Sequence, residues 1–253
     1  MSDLALGLLF VLPAVFLGSA TQRITGVGFA QVAAPFLVIA YGPFSGVLVV
    51  NLIAVVSAAI VIARLWRDIE WRQFFGLALP AALGIPAGAW LASNLPSAPL
   101  EVLVGVLLLA SLIVSLFAGR ISKVTRHGGL RSAAGFLGGA MSASVGVGGP
   151  ALTVYAVLTR WEHRGFRATV QPFFLTTGAA SFLTKFFFAP ERFAQLDWWT
   201  WLAMGLALVL GLVAGDFAAR RISAPIARVA VIAIAFAGAL TAVGRGTVEL
   251  LGG

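Results

Sequence analysis

The chain of 253 residues has no cysteine, which excludes disulfides, thiol catalysis and thiolate metal sites. Charge is also scarce. Only 10% of the residues are Asp, Glu, Lys or Arg, against about 25% in a soluble domain, while 60% are hydrophobic. That balance excludes an ordinary soluble domain and fits a polytopic helical membrane protein. Histidine occurs only as His127 and His163, and neither belongs to a metal-ligand spacing or a nucleophile arrangement, so no enzyme and no cofactor are expected. The few acidic residues form no buried carboxylate relay in the pattern. Asp216 stands four residues before Arg220 on one helix face, the spacing of an interfacial ion pair. Glu101 opens a helix, where it serves the dipole. The first apolar segment lacks a basic leader and a small-residue cleavage site, so it reads as retained structure.

What the chain does have is a duplication. Phe16 to Ala30 reads FLGSATQRITGVGFA and, 120 residues on, Phe136 to Pro150 reads FLGGAMSASVGVGGP. At the same offset Asn51 pairs with Gln171 and Ser57 with Thr177. At an offset of 127, Ile69 to Trp71 pairs with Leu196 to Trp198, and Gly84 to Gly88 pairs with Gly211 to Gly215. The division is residues 1–118 as a first repeat, 119–129 as a cytoplasmic linker and 130–253 as a second repeat. Glu70 and Asp197, each followed by tryptophan, mark helix starts, where carboxylates cap and indoles settle at the headgroups.

Ten apolar segments lie between Leu4 and Val243. A crossing needs about 20 residues, and Phe29 to Tyr41, Leu130 to Met141 and Gly149 to Thr159 fall short of it. Four loops hold thirteen of the seventeen basic residues: Arg64, Arg67 and Arg72; Arg120, Lys123, Arg126 and Arg131; Arg160, Arg164 and Arg167; and Arg220, Arg221 and Arg228. Putting all four inside makes the halves inverted. The expected fold is therefore an all-α polytopic membrane protein of two inverted repeats, each a glycine-broken re-entrant helical hairpin plus three transmembrane helices. The net charge of +8 is a positive-inside signal and calls for no nucleic acid partner. A homodimer is left open.

Paired breaks at matching positions of inverted halves point to a binding site. Where a hairpin turns, the second half-helix presents unpaired N–H groups and the positive end of its dipole, which suits an anion. Gly26, Gly28, Gly146, Gly148 and Gly149 allow close approach of a ligand to the backbone. The hydroxyls of Thr21, Thr25, Ser142 and Ser144 can donate to oxyanion oxygens. Gln22 stands in the first break. Asn51 and Gln171 are a symmetric amide pair, fit either for an anion or for interhelical hydrogen bonds. Arg23 puts a permanent cation at the tip, with no acidic residue near in sequence. Lys185, one turn from its helix end, can reach the headgroups. Pro35, Pro86, Pro150 and Pro172 permit bending, with Pro150 placed to open a half-helix at its first position. The same small residues also suit simple close packing.

The glycine pattern, Gly135 to Gly139 as GFLGG and Gly146 to Pro150 as GVGGP, resembles that of the TauE/SafE sulfite exporters over roughly Leu4 to Val243. The resemblance implies a bacterial inner-membrane, multi-pass permease exporting sulfite or an organosulfonate. The first break departs from the pattern, with Gln22, Arg23, Phe29 and Ala30 where the second has Ser142, Ala143, Gly149 and Pro150, so the anion stays open. A passive anion channel and a lipid-handling scaffold, in which Arg23 would hold a lipid phosphate, are the alternative readings.

Overall fold

A computed structural model describes residues 3–117, 128–192, 196–219, 221 and 224–252. Among them are ten α-helices and no strand. They run α1 (Asp3–Thr25), α2 (Phe29–Tyr41), α3 (Pro43–Leu65), α4 (Trp71–Asn94) and α5 (Ser97–Phe117), then α6 (Gly128–Val145), α7 (Gly149–Thr159), α8 (His163–Phe188), α9 (Trp198–Ala218) and α10 (Ala224–Gly252). Most of the linker expected at 119–129 lies outside the described residues, and α6 begins at Gly128.

Helices are what a chain this apolar must form, because in hydrocarbon each backbone N–H and C=O has to be satisfied within its own segment. Pro43–Asp68, Trp71–Asn94 and Trp198–Ala218 are long and apolar enough to cross a membrane, with mean hydropathies of 2.7, 1.6 and 1.9. At 1.5 Å per residue α2 and α7 are about 20 and 17 Å long, too short for a core of about 30 Å. The third short segment of the sequence reading is corrected: α6 runs through Met141 to Val145, and α1 likewise passes Ala20 to end at Thr25. The small polar residues there do not unwind the helix, because their hydroxyls turn back onto carbonyls one turn earlier. Ser19 donates to Val15 (2.7 Å), Thr21 to Leu17 (2.7 Å) and Ser144 to Ala140 (2.8 Å).

Glycine sets the closest helix approaches. Gly84 and Gly88 of α4 lie directly on the carbonyls of Phe136 and Ala140 of α6, and Gly211 and Gly215 of α9 on those of Phe16 and Ala20 of α1. A methyl at any of the four would strike backbone. These are equivalent residues under the offsets of 120 and 127, and each pair of helices runs parallel. At the centre α3 packs against α8 in the opposite sense, with Gly178 of α8 beside Asn51 and Val55 of α3 and Lys185 beside Phe44. The main core cluster gathers around α2 and α3, through Ala33, Leu37, Val47, Leu48 and Val50. Leu100, Val104 and Leu108 of α5 and Met204 and Leu208 of α9 complete it. The outward faces stay apolar: Leu79, Leu83, Leu206, Leu210 and Phe187 are all exposed, as a bilayer requires.

Glu70 and Asp197 do stand at the N-cap positions of α4 and α9, but neither carboxylate makes a capping bond. Glu70 instead accepts from the Trp161 indole at 2.8 Å. Pro150 occupies the second position of α7, after Gly149.

Candidate functional site between the two breaks

Both helices that lead into the breaks end the same way. Gly26 and Gly146 take left-handed φ angles of 83° and 77°, and their N–H groups bond back to Gln22 (2.8 Å) and Ser142 (3.1 Å). A side chain is disfavoured at such angles, which is why glycine recurs at both positions. The chain then starts a new helix within three residues. Gly28 and Gly148 are the N-caps of α2 and α7, and no side chain caps either helix. A helix that starts on glycine has first-turn N–H groups with no partner inside the helix, and such groups can turn to a ligand or water.

Those two glycine-capped ends border one small, partly enclosed cavity of about 30 Å³. From the first break it takes Gln22 and Gly28 with Phe29 to Gln31; from the second, Ser142 and Gly146 to Gly149; from the middle of α3, Asn51 and Ala54; and from the middle of α8, Phe174 and Gly178. The space suffices for about one or two waters. None of these wall residues carries a charge, so the cavity offers only neutral dipoles. Asn51 Nδ2 donates to the Ser142 carbonyl at 3.3 Å and so ties α3 to the second break.

Of the residues singled out from sequence, Gln22, Gly28, Asn51, Ser142, Gly146, Gly148 and Gly149 converge on this cavity. The others stand behind it. The Thr21 and Ser144 hydroxyls are held by the helix backbone, and that of Thr25 bonds to Thr21 O at 3.0 Å and also to Val27 O. Gly26 packs on Arg167. Gln171, fully buried, spends both amide hydrogens on the carbonyls of Gly26 (2.9 Å) and Arg167 (3.0 Å), while its Oε1 accepts from Gln22 Nε2 at 2.9 Å. Ser57 completes the layer by donating to Gln22 Oε1 at 2.8 Å. Sequence reasoning missed Phe29 to Gln31, Ala54, Val147, Phe174 and Gly178 as wall residues.

Arg23 sits in the last turn of α1 and faces away from the cavity. Its Nε pairs with Asp216 of α9, whose second oxygen takes Arg64 Nη1 at 2.6 Å. The partner that the sequence offers Asp216, Arg220, lies outside the described residues. Arg167 donates to the Arg23 carbonyl at 2.7 Å. Arg23, Arg167 and Asp216, with Asp68, Glu162 and Arg164, line an open cleft of about 630 Å³ at the basic end of the molecule. There Arg164 grips Asp68 through two nitrogens, at 2.9 and 3.0 Å. His163 borders the same cleft, and His127 lies outside the described residues.

Two further expectations change. Lys185 does not reach the surface: it is 0% exposed and its Nζ has no hydrogen-bond partner. Glu101 is buried in α5, 3.8 Å from Arg245, with one carboxylate oxygen free of hydrogen bonds.

No curated protein and no solved structure matches the chain. A family model does match, described as Sulfite exporter TauE/SafE and covering residues 11–242. A glycine-broken pair of apolar repeats and a match over nearly the whole length lead to one conclusion: this chain belongs to the TauE/SafE sulfite exporter family of membrane transporters.

Proposed function

We propose that the chain exports a small sulfur oxyanion, sulfite or an organosulfonate, by exposing the cavity between the two breaks alternately to the two sides of a bacterial inner membrane. One observation supports this reading: the glycine-capped N-termini of α2 and α7, from matching positions of the duplication, both line one shared cavity. A half-helix N-terminus favours negative charge, and two that converge favour it twice over. Gln22, Asn51 and Ser142 supply side-chain amide and hydroxyl groups around the same point, which orients an oxyanion without fixing its charge.

The halves act as inverted repeats in this reading, and the antiparallel packing of the equivalent helices α3 and α8 supports it. The amide layer of Gln22, Gln171 and Ser57 separates the cavity from the basic cleft. Opening that layer would let the anion in from the cleft, where Arg23 and Arg167 gather negative ions before the cavity receives them. Arg23 thus serves recruitment, held in place by Asp216, and the neutral dipoles of the breaks serve binding.

Purified protein in liposomes loaded with sulfite, sulfate, thiosulfate or sulfoacetate tests the reading, with and without an imposed proton gradient. Sulfite or a sulfonate leaves faster than from protein-free liposomes if it is right. Equal leakage of every anion with and without protein would refute it, and fast, unselective flux that never saturates would favour a passive channel.

A further inference from the structure

At the end of the molecule opposite the basic cleft, α8 carries a lysine that the cavity does not use. Lys185 is completely buried, and its ammonium has no hydrogen-bond partner. It lies 5.2 Å from the centre of the Phe44 ring, in the first turn of α3. The Arg192 guanidinium lies 4.5 Å from the centre of the same ring, and its charge and that of Lys185 repel. Arg192 is held there from both sides, its Nη1 donating to Ser93 O at 2.8 Å and its own carbonyl accepting from Ser45 Oγ at 2.7 Å. No carboxylate among the described residues pairs with either cation. Two more buried donors nearby, Ser181 Oγ and Ser93 Oγ, also lack a partner. The cluster is rich in donors and positive charge and has nothing negative to receive them. Holding a buried ammonium without a partner is costly, and an anion beside it would offset that cost.

The position is connected to the cavity. On α8, Phe174, Gly178, Ser181 and Lys185 recur at intervals of four, three and four residues, one helix face. Phe174 and Gly178 line the cavity; Lys185 stands seven residues beyond Gly178, about 10 Å along the axis. On α3, Phe44, Val47, Asn51 and Ala54 make the facing stripe, and α3 and α8 pack against each other along it.

We propose that Lys185, Arg192 and the buried hydroxyl of Ser181 form a second binding position for a small oxyanion, about two helical turns from the cavity, with Phe44 closing the way between this position and the end of the molecule. Its place on the exit route rests on the transport reading; its capacity to bind an anion does not. An anion arriving here takes up the unpaired ammonium, and the repulsion between the two cations is relieved while it stays.

The chain has two lysines, Lys123 and Lys185, so Lys123→Arg leaves Lys185 as the only lysine side chain. The test measures the rate at which a neutral amine-reactive reagent labels Lys185 in that protein, followed by peptide mass spectrometry, with and without sulfite or sulfate. For a dissociation constant near 1 mM, about 10 mM anion leaves about one site in eleven free and slows labelling about tenfold. Labelling that is unchanged by either anion at that concentration overturns the proposal. Adding Gly149→Ala, which fills the cavity, separates the two readings: protection that persists when flux is lost keeps the second site, and protection that disappears with it means that the anion acted on Lys185 only through the cavity and overturns the site. In the flux assay Lys185→Met loses at least about tenfold and Lys185→Arg recovers part, the pattern of a required charge; wild-type flux in Lys185→Met would also refute a place on the route.

Discussion

Replacing Gln22 with leucine probes the buried hydrogen-bonded layer of Gln22, Gln171 and Ser57. Gln22 gives one amide hydrogen to Gln171 Oε1 at 2.9 Å and accepts from Ser57 at 2.8 Å. Leucine fills similar space but leaves Gln171 Oε1 without a donor. Gln171 cannot turn to compensate, because both its hydrogens are held by the carbonyls of Gly26 and Arg167. A stranded buried acceptor costs about 1–3 kcal/mol. Ser57, by contrast, can swing its hydroxyl to the carbonyl one turn back at little cost. Gln22→Leu should therefore lower stability by about 1–3 kcal/mol, or about 2–4 °C in unfolding midpoint per kcal/mol for a chain of this size. Gln171→Leu strands the Gln22 amide and the Gly26 carbonyl and should cost more. The double variant removes both partners of the 2.9 Å bond, so it should be less damaging than the sum by about 0.5–3 kcal/mol. The assay is reversible unfolding in mild detergent across the full cycle. Strict additivity, or a Gln22→Leu protein as stable as the parent, would refute the hydrogen-bonded layer.

Gly146→Ala should cost about 1–2 kcal/mol through its left-handed backbone, and Val50, whose Cγ1 would stand 3.3 Å from the new methyl, has to shift slightly to admit it. Gly26→Ala should cost more in the same melting experiment, because its methyl would also meet Arg167 Cγ at 2.5 Å. Arg23→Gln should leave stability within about 1 kcal/mol, since Arg64 still holds Asp216; in flux assays it should raise the anion concentration needed for half-maximal rate and weaken the dependence on ionic strength. Pro172→Ala restores a missing N–H in the middle of α8, next to Gln171, and should slow turnover while raising the melting temperature; transport and melting both unchanged would make Pro172 a tolerated kink with no part in the cycle.

The paired breaks were legible because glycine at a left-handed position leaves a mark in any sequence, and Gly26 and Gly146 carry it at the same offset as their flanks. The half-helices α2 and α7 were legible from length alone. The reach of α1 and α6 was not, because Thr21, Thr25 and Ser144 look like helix breakers in a string of letters and become helix-compatible only when their hydroxyls fold back onto carbonyls. Arg23 has no counter-ion near it in sequence because its partner, Asp216, lies 193 residues away and meets it only where α9 packs along α1. Lys185 stands close enough to its helix end to reach the headgroups by length alone; Arg192, bonded to Ser45 and Ser93, lies over the same Phe44 ring, and no local pattern announces that neighbour.

The central claim, that the anion binds in the cavity between the breaks, is tested most directly by Gly149→Ala. Gly149 lines the cavity, needs no special backbone angle, and a methyl there would stand 3.6 Å from Val27 and 3.7 Å from Phe174, ordinary contact distances. The variant should melt with the parent, while sulfite efflux from liposomes falls about tenfold or more, as one extra methyl in a fitted pocket can impose. Wild-type efflux from a normally folded Gly149→Ala protein would contradict the account and move the binding site away from the two breaks.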